Sequence, residues 1–252
     1  MISEFFINDT VLIQRLDPRL RIVFATAYSF AVALFVNLQT LITALFISYI
    51  MLVMAGVNFR VLAKRLLAFN SLVLLLWLVL PISFSGEALY YIGPFTITRQ
   101  GVLFSAQITL KSNAIMLAFI ALIATSPVSV IGHALEKLFI PQKIVHILLL
   151  TYRYVFVIEQ EYQRLIRAIK TRGFIPKTNI HTYKTYAYLM GMIFIRSVDR
   201  AQRVYQAMIC RGFEGKFHSM DLFALKRQDY ICLPFMTTTI IGLEVLEWIV
   251  TI

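Results

Sequence analysis

Apolar positions fall into runs of two kinds. Near-continuous runs of membrane-span length occupy residues 20–36, 38–56, 66–83, 102–126 and 230–249, and each predicts a transmembrane helix. Between the fourth and fifth runs the pattern changes to amphipathic helical repeats. Residues 127–139 place Val128, Ile131, Leu135 and Leu138 on one face, and Ser126-Pro127 signals the helix start. Residues 142–172 predict one long helix, apolar to about 158 and basic amphipathic beyond it. Residues 182–195 followed by 196–211 repeat that plan. Phe139-Ile140-Pro141 and Phe174-Ile175-Pro176 mark the breaks, because the residue before a proline is pushed out of the helical region. The expected fold is an all-α polytopic membrane protein with about five transmembrane helices and long cytoplasmic amphipathic helices. Its segments are a four-span bundle at 1–126, a cytoplasmic helical region at 127–228 and a last transmembrane helix at 229–252.

Local signals refine these elements. Asp17 can cap and Pro18 can open the first span. Asn37-Leu38-Gln39 is a turn, and Ser85 to Gly101 predicts an exposed hairpin or loop. Phe5, Phe6 and Ile7 suggest a short helix on the membrane surface. In the last amphipathic helix Val198, Ala201, Tyr205 and Met208 are expected to form the apolar face, with Arg196, Arg200 and Arg203 opposite. Asp199 stands four residues before Arg203, the favourable order for a helical ion pair. That helix should stop at Arg211-Gly212, with glycine in the left-handed cap conformation and arginine at the negative end of the dipole.

An internal copy lies upstream. Gln163-Arg164, Ala168 and Arg172-Gly173-Phe174 match Gln202-Arg203, Ala207 and Arg211-Gly212-Phe213 at an offset of 39 residues. Within each copy the first arginine, the alanine and the last arginine are four apart, so they share a face.

Composition narrows the class. The chain is 59% hydrophobic, more than a soluble core of 252 residues requires. The net charge of +11 is concentrated, since 16 of 24 Lys and Arg lie between Lys137 and Arg227. Placing that region, the N-terminus and the Arg60–Arg65 connection inside gives five spans, a cytoplasmic N-terminus and an outer C-terminus. The basic residues ride on membrane-attached helices, which argues for anionic lipid or an acidic partner rather than nucleic acid. Cys210 and Cys232 form no metal-ligand spacing, and His133, His146, His181 and His218 are scattered. A Gly-rich phosphate loop is absent from the sequence, so no nucleotide hydrolysis is expected of this chain. Neither a catalytic set, a metal site nor a cofactor is expected. Lys111 and Asn113 are the polar oddity, because a lysine at mid-depth costs roughly 2.5–3.5 kcal/mol on insertion scales. They can serve a substrate path, or Lys111 can pair with Glu87 or with carbonyls.

Over most of its length the chain resembles the transmembrane (T) component of energy-coupling factor transporters, closest to the cobalt/nickel branch called CbiQ. The resemblance is carried by Leu16-Asp17-Pro18-Arg19, by the stretch Tyr152 to Phe174 and by the stretch Arg196 to Gly215. It implies two coupling helices ending in an Ala-Arg-Gly signature that docks on a pair of ABC ATPase subunits, which bind the ATP. By position the signatures are Thr171-Arg172-Gly173 and Cys210-Arg211-Gly212, with Thr and Cys in place of Ala. Arg164, Ala168, Arg203 and Ala207 would support the coupling face. The resemblance also implies a separate substrate-binding (S) membrane subunit and uptake of cobalt or nickel. The alternatives are a permease subunit whose own path uses Lys111 and Asn113, and an intramembrane enzyme, which the lack of paired Asp, His or Ser groups disfavours.

Overall fold

The computed structural model describes residues 16–57, 59–83, 88–92, 95–138, 140–213 and 227–251. The surface helix expected around Phe5 and the Glu87 partner proposed for Lys111 lie outside these residues. Among them the chain is helical apart from one hairpin, and it divides into two compact units. One holds residues up to Ile131 and from Phe223 onward, the other Gly132–Leu222.

The first unit is a bundle of α1 (Pro18–Leu34), α2 (Leu38–Met54), α3 (Phe59–Ser83), α4 (Arg99–Phe119) and α8 (Arg227–Thr251). Its one sheet is the antiparallel hairpin of β1 (Ala88–Ile92) and β2 (Phe95–Thr98), in the stretch expected to turn between two spans. Among the described residues three stretches are long and apolar enough to cross a membrane: Leu62–Ser83, Arg99–Ala124 and Cys232–Val250. Apolar α2 is shorter, with 17 residues. The start of α1 follows the sequence: Asp17 Oδ1 accepts the Arg19 backbone N–H at 2.9 Å and Pro18 occupies the first turn.

Small residues let these helices approach closely. Ala25, Ala31, Ala44, Ala114, Ala118 and Ala121 are buried in the bundle core. Gly101 is needed at the start of α4, since a Cβ there would stand 2.7 Å from Pro81 Cα and 2.8 Å from the Leu80 carbonyl. Buried Tyr28 fastens α1 to α2, its hydroxyl donating to the Ala44 carbonyl at 2.6 Å and lying 2.8 Å from Ser48 Oγ. Past Phe119, α4 widens into one π-helical turn, Ile120–Ala124, packed against α1 and α2.

Polar side chains converge on the α1–α2 turn. From α8, Glu247 accepts the backbone N–H groups of Val36 (2.7 Å) and Asn37 (3.2 Å) and the Thr40 hydroxyl. From α4, Gln107 donates to the Val36 carbonyl at 2.7 Å and Lys111 to the Ala33 carbonyl at 2.9 Å. The eight residues of α4 ahead of Gln107 therefore run about 12 Å past the level of this turn.

The second unit contains α6 (Gln142–Thr171) and α7 (Ile180–Cys210), after the short α5 (Val128–Lys137) that leads into it. The expected single helix from about 142 to 172 is present, and its partner starts at the Asn179 cap. Phe174, in the connection, packs its ring on His181 and edge-on against Tyr186. From there α7 runs back along α6, bringing Arg196 onto Glu161.

Candidate coupling site on the long helices

Both long helices end the same way. In α6 the Phe174 N–H reaches back to the Ile169 carbonyl (3.2 Å) and the Gly173 N–H to the Lys170 carbonyl (3.0 Å). In α7 Phe213 reaches Met208 (3.1 Å) and Gly212 reaches Ile209 (2.9 Å). Gly173 at φ 81° and Gly212 at φ 78° take the left-handed conformation that this double bond requires. Each cap leaves the preceding arginine exposed at the helix end, where the carbonyl dipoles favour a cation.

The other residues of the signature share that exposure. Thr171, Arg172 and Gly173, and likewise Cys210, Arg211 and Gly212, are exposed. So are Arg164, Ala168, Arg203 and Ala207. Each copy thus presents an open strip of arginine, alanine and arginine leading to its tip. Because α7 runs back along α6, the two tips lie at opposite ends of the helix pair. Arg172 is 11 residues beyond Glu161 and Arg211 is 15 residues beyond Arg196, so the tips stand no more than roughly 40 Å apart.

The face that α7 turns toward α6 differs from the sequence expectation. A groove of about 380 Å³ between the helices is lined on α7 by Ser197, Arg200, Ala201, Val204 and Met208. On α6 it is lined by Ile147, Leu150, Thr151, Tyr154, Val155 and Ile158. Val198 and Tyr205, expected on the packed face, are exposed, while Arg196 and Arg200 point toward α6. On this face Arg196 bonds Glu161 and Val204 lines the groove, while Tyr205, whose hydroxyl can stay hydrated, is exposed. The Asp199–Arg203 pair does not form among the described residues; an exposed i,i+4 pair is worth only a few tenths of a kcal/mol.

Glu161 is the acidic node of this unit. It accepts a charge-assisted hydrogen bond from Arg196 and lies 3.6 Å from Arg164. The Arg196 hydrogen bond holds its carboxyl below the usual carboxylate value; burial works against the shift, and the charges of Arg196, Arg164 and Arg200 add to it. Sequence alone does not single it out, since Glu159 and Glu161 stand two apart on α6 and neither has a spacing signal that marks a partner on another helix.

Lys111 and Asn113 belong to the first unit. The Lys111 ammonium meets the Ala33 carbonyl near the C-terminal end of α1, the negative end of that helix, which offsets the cost of its charge. Asn113 exchanges amide hydrogen bonds with Asn70 on α3 at 3.0 and 3.2 Å and donates to the Thr109 carbonyl at 2.8 Å. Both side chains are engaged inside the bundle. Among the described residues no group of three His, Cys, Asp or Glu could hold a metal ion.

The sequence is similar to known transport proteins. An energy-coupling factor transporter transmembrane protein EcfT of Macrococcus caseolyticus is 27% identical over 98% of this chain and 97% of its own length. The EcfT of Leuconostoc gelidum is 28% identical, covering 91% of this chain and 87% of that protein. A cobalt transport protein CbiQ of Rhodobacter capsulatus is 26% identical over 57% of this chain and 61% of its own. The family model described as cobalt transport protein, CbiQ, matches residues 9–221. With most of its length inside that match, the chain belongs to the CbiQ family of cobalt transport proteins.

Proposed function

We propose that this chain is the transmembrane scaffold of an energy-coupling factor importer, linking ATP hydrolysis on two partner ATPase subunits to uptake through a separate substrate-binding membrane subunit. The observation that carries the proposal is the pair of equivalent tips. Two copies of one sequence signature end in the same glycine cap, each exposing an arginine at one end of a connected helix pair. A guanidinium suits docking on an acidic groove, because it makes planar bidentate contacts to carboxylates and tolerates partial desolvation. Thr171 and Cys210 replace the alanine of the signature with small side chains that leave each tip compact. Two tips address two ATPase subunits, and closure of those subunits on ATP changes the distance between the tips. The chain itself acts without catalysis, metal or cofactor. In the membrane it crosses five times, through α1, α2, α3, α4 and α8, with the N-terminus and the long helices on the cytoplasmic side, where basic residues face anionic lipid.

The cargo assigned is a transition-metal ion, cobalt or nickel, in line with the family description. Its identity is set by the substrate-binding subunit, so another micronutrient or a vitamin is the competing cargo. The EcfT relatives that cover 91% and 98% of this chain carry the energy-coupling name, which specifies no cargo. A permease path through Lys111 and Asn113 is the weaker reading, because both side chains are engaged by neighbouring helices.

The test is co-purification with the candidate ATPase pair, comparing wild type with Arg172→Glu and Arg211→Glu while checking membrane insertion. Loss of the ATPases with normal insertion is expected. Retained ATPases with unchanged ATP-driven uptake would reduce the two tips to ordinary helix caps.

A further inference from the structure

The second unit contains a charged contact between its two long helices. Glu161, on α6, is only 13% exposed and bonds the Arg196 guanidinium of α7, while Arg164 on its own helix lies 3.6 Å away. Below this contact the helices do not fill the space between them: the groove of about 380 Å³ begins at Ile158 and Ser197 and runs toward Met208 and Ile147. A void of that size leaves its lining with fewer packing partners, so side-chain packing holds the angle between the helices weakly there. At the other end the contact is local to the connection, where Phe174 packs on His181 and Tyr186. Leu189, two turns before Arg196 on α7, is buried, and beyond it the directional charged bond to Glu161 stands where the groove begins.

We infer that Glu161 is a positioning residue, an electrostatic pin through Arg196 that sets the separation of the Arg172 and Arg211 tips. The inference rests on the scaffold reading above, but only for its consequence in transport; the pin itself is a property of this chain alone. The tips lie about 17 Å and 23 Å from the pin along their helices. A small change of crossing angle at Glu161 is thus converted into a displacement of several ångströms at each tip, whereas a change near either tip moves that tip alone. Arg200, at the edge of the groove, adds positive charge near the same carboxylate and keeps it ionised as the helices shift.

The experiment measures the tip separation directly. Spin labels are placed on Thr171→Cys and on the native Cys210, with Cys232→Ser, in the full chain reconstituted in lipid nanodiscs. Electron–electron distances are compared for the parent, for Glu161→Gln, and for the swap Glu161→Arg with Arg196→Glu. A single narrow distribution is expected for the parent, a clearly broader one for Glu161→Gln, and recovery of the narrow one in the swap. In unlabelled chains, Glu161→Gln retains the ATPase pair because the tips are intact, yet ATP-driven uptake falls roughly two- to fivefold, the range open to one partly exposed ion pair. Equal widths for parent and Glu161→Gln would overturn the pin and leave the scaffold reading standing. A broadened distribution with unchanged uptake would keep the pin and remove the scaffold's use of it. Broadening in the swap as large as in Glu161→Gln would also count against it, since the pair's charges would then be irrelevant.

Discussion

Gly212→Ala separates what a tip's backbone does from what it touches. At φ 78° the residue lies in the left-handed region, and a Cβ built there meets no heavy atom within 4 Å. The cost of alanine in the free chain is therefore torsional alone, about 1 kcal/mol. If the capped conformation is the one that docks and an alanine tip relaxes out of it in the free chain, recovering the cap on docking costs about a fivefold loss of affinity for the ATPase pair. Asparagine tolerates the left-handed region better than alanine, so Gly212→Asn should fall between Gly and Ala although its side chain is larger. The assay is the dissociation constant of the ATPase pair for the chain in nanodiscs, read by biolayer interferometry for the three residues at position 212. The expected order is Gly tightest, then Asn, then Ala. Equal affinities would show that the cap geometry is irrelevant to docking. Asn weaker than Ala would show that the partner excludes side-chain volume and that the torsional reasoning is wrong. Gly173, at φ 81° with the same open surroundings, should give the same order.

Acidification should loosen the long helix pair. The Glu161 carboxyl is held below its ordinary value of 4.5, chiefly by the Arg196 hydrogen bond. A depressed carboxylate stabilises the fold above its unfolded value and loses that contribution as pH falls through the folded one. The spin-label distance distribution should therefore stay constant from neutral pH down to the ordinary carboxylate range and broaden only below it; broadening near pH 6 would point to a different group. In the bundle, Glu247→Gln should lower the thermal unfolding midpoint in detergent by the equivalent of about 1.5–3 kcal/mol, since the α1–α2 turn loses a charged acceptor. An unchanged midpoint would mean that the turn holds itself. Asn113→Leu or Asn70→Leu alone should each cost about 1 kcal/mol by leaving an amide unpaired, and the double variant should recover part of it. Strict additivity in that cycle would show that the amide pair is not a coupled unit.

The parts legible in the sequence were those decided within a few residues. Asp17-Pro18 and the two Arg-Gly ends act through bonds made inside one turn, and the helices of the bundle follow from runs of apolar residues. The parts that were not legible depend on contacts distant in sequence. Glu161 and Arg196 are 35 residues apart, and Glu247 reaches Val36 across 211. Each looked unremarkable among its neighbours. The inward face of α7 was half legible: helical spacing placed Ala201 and Met208 correctly, but Val204 lines the groove where Tyr205 was expected. The carbonyl partner of Lys111 is likewise a distant contact: Ala33, near the end of α1, lies 78 residues away in sequence.

The unequal lengths of the bundle helices have a consequence for the lipids around them. The 17 residues of α1 or of α2 cover about 26 Å, while the 22-residue apolar stretch of α3 covers about 33 Å. On the five-span reading proposed above, a bilayer with a hydrocarbon layer of about 30 Å would compress beside the first pair and relax beside the third, and the helix lengths would impose a thickness gradient on the surrounding lipid.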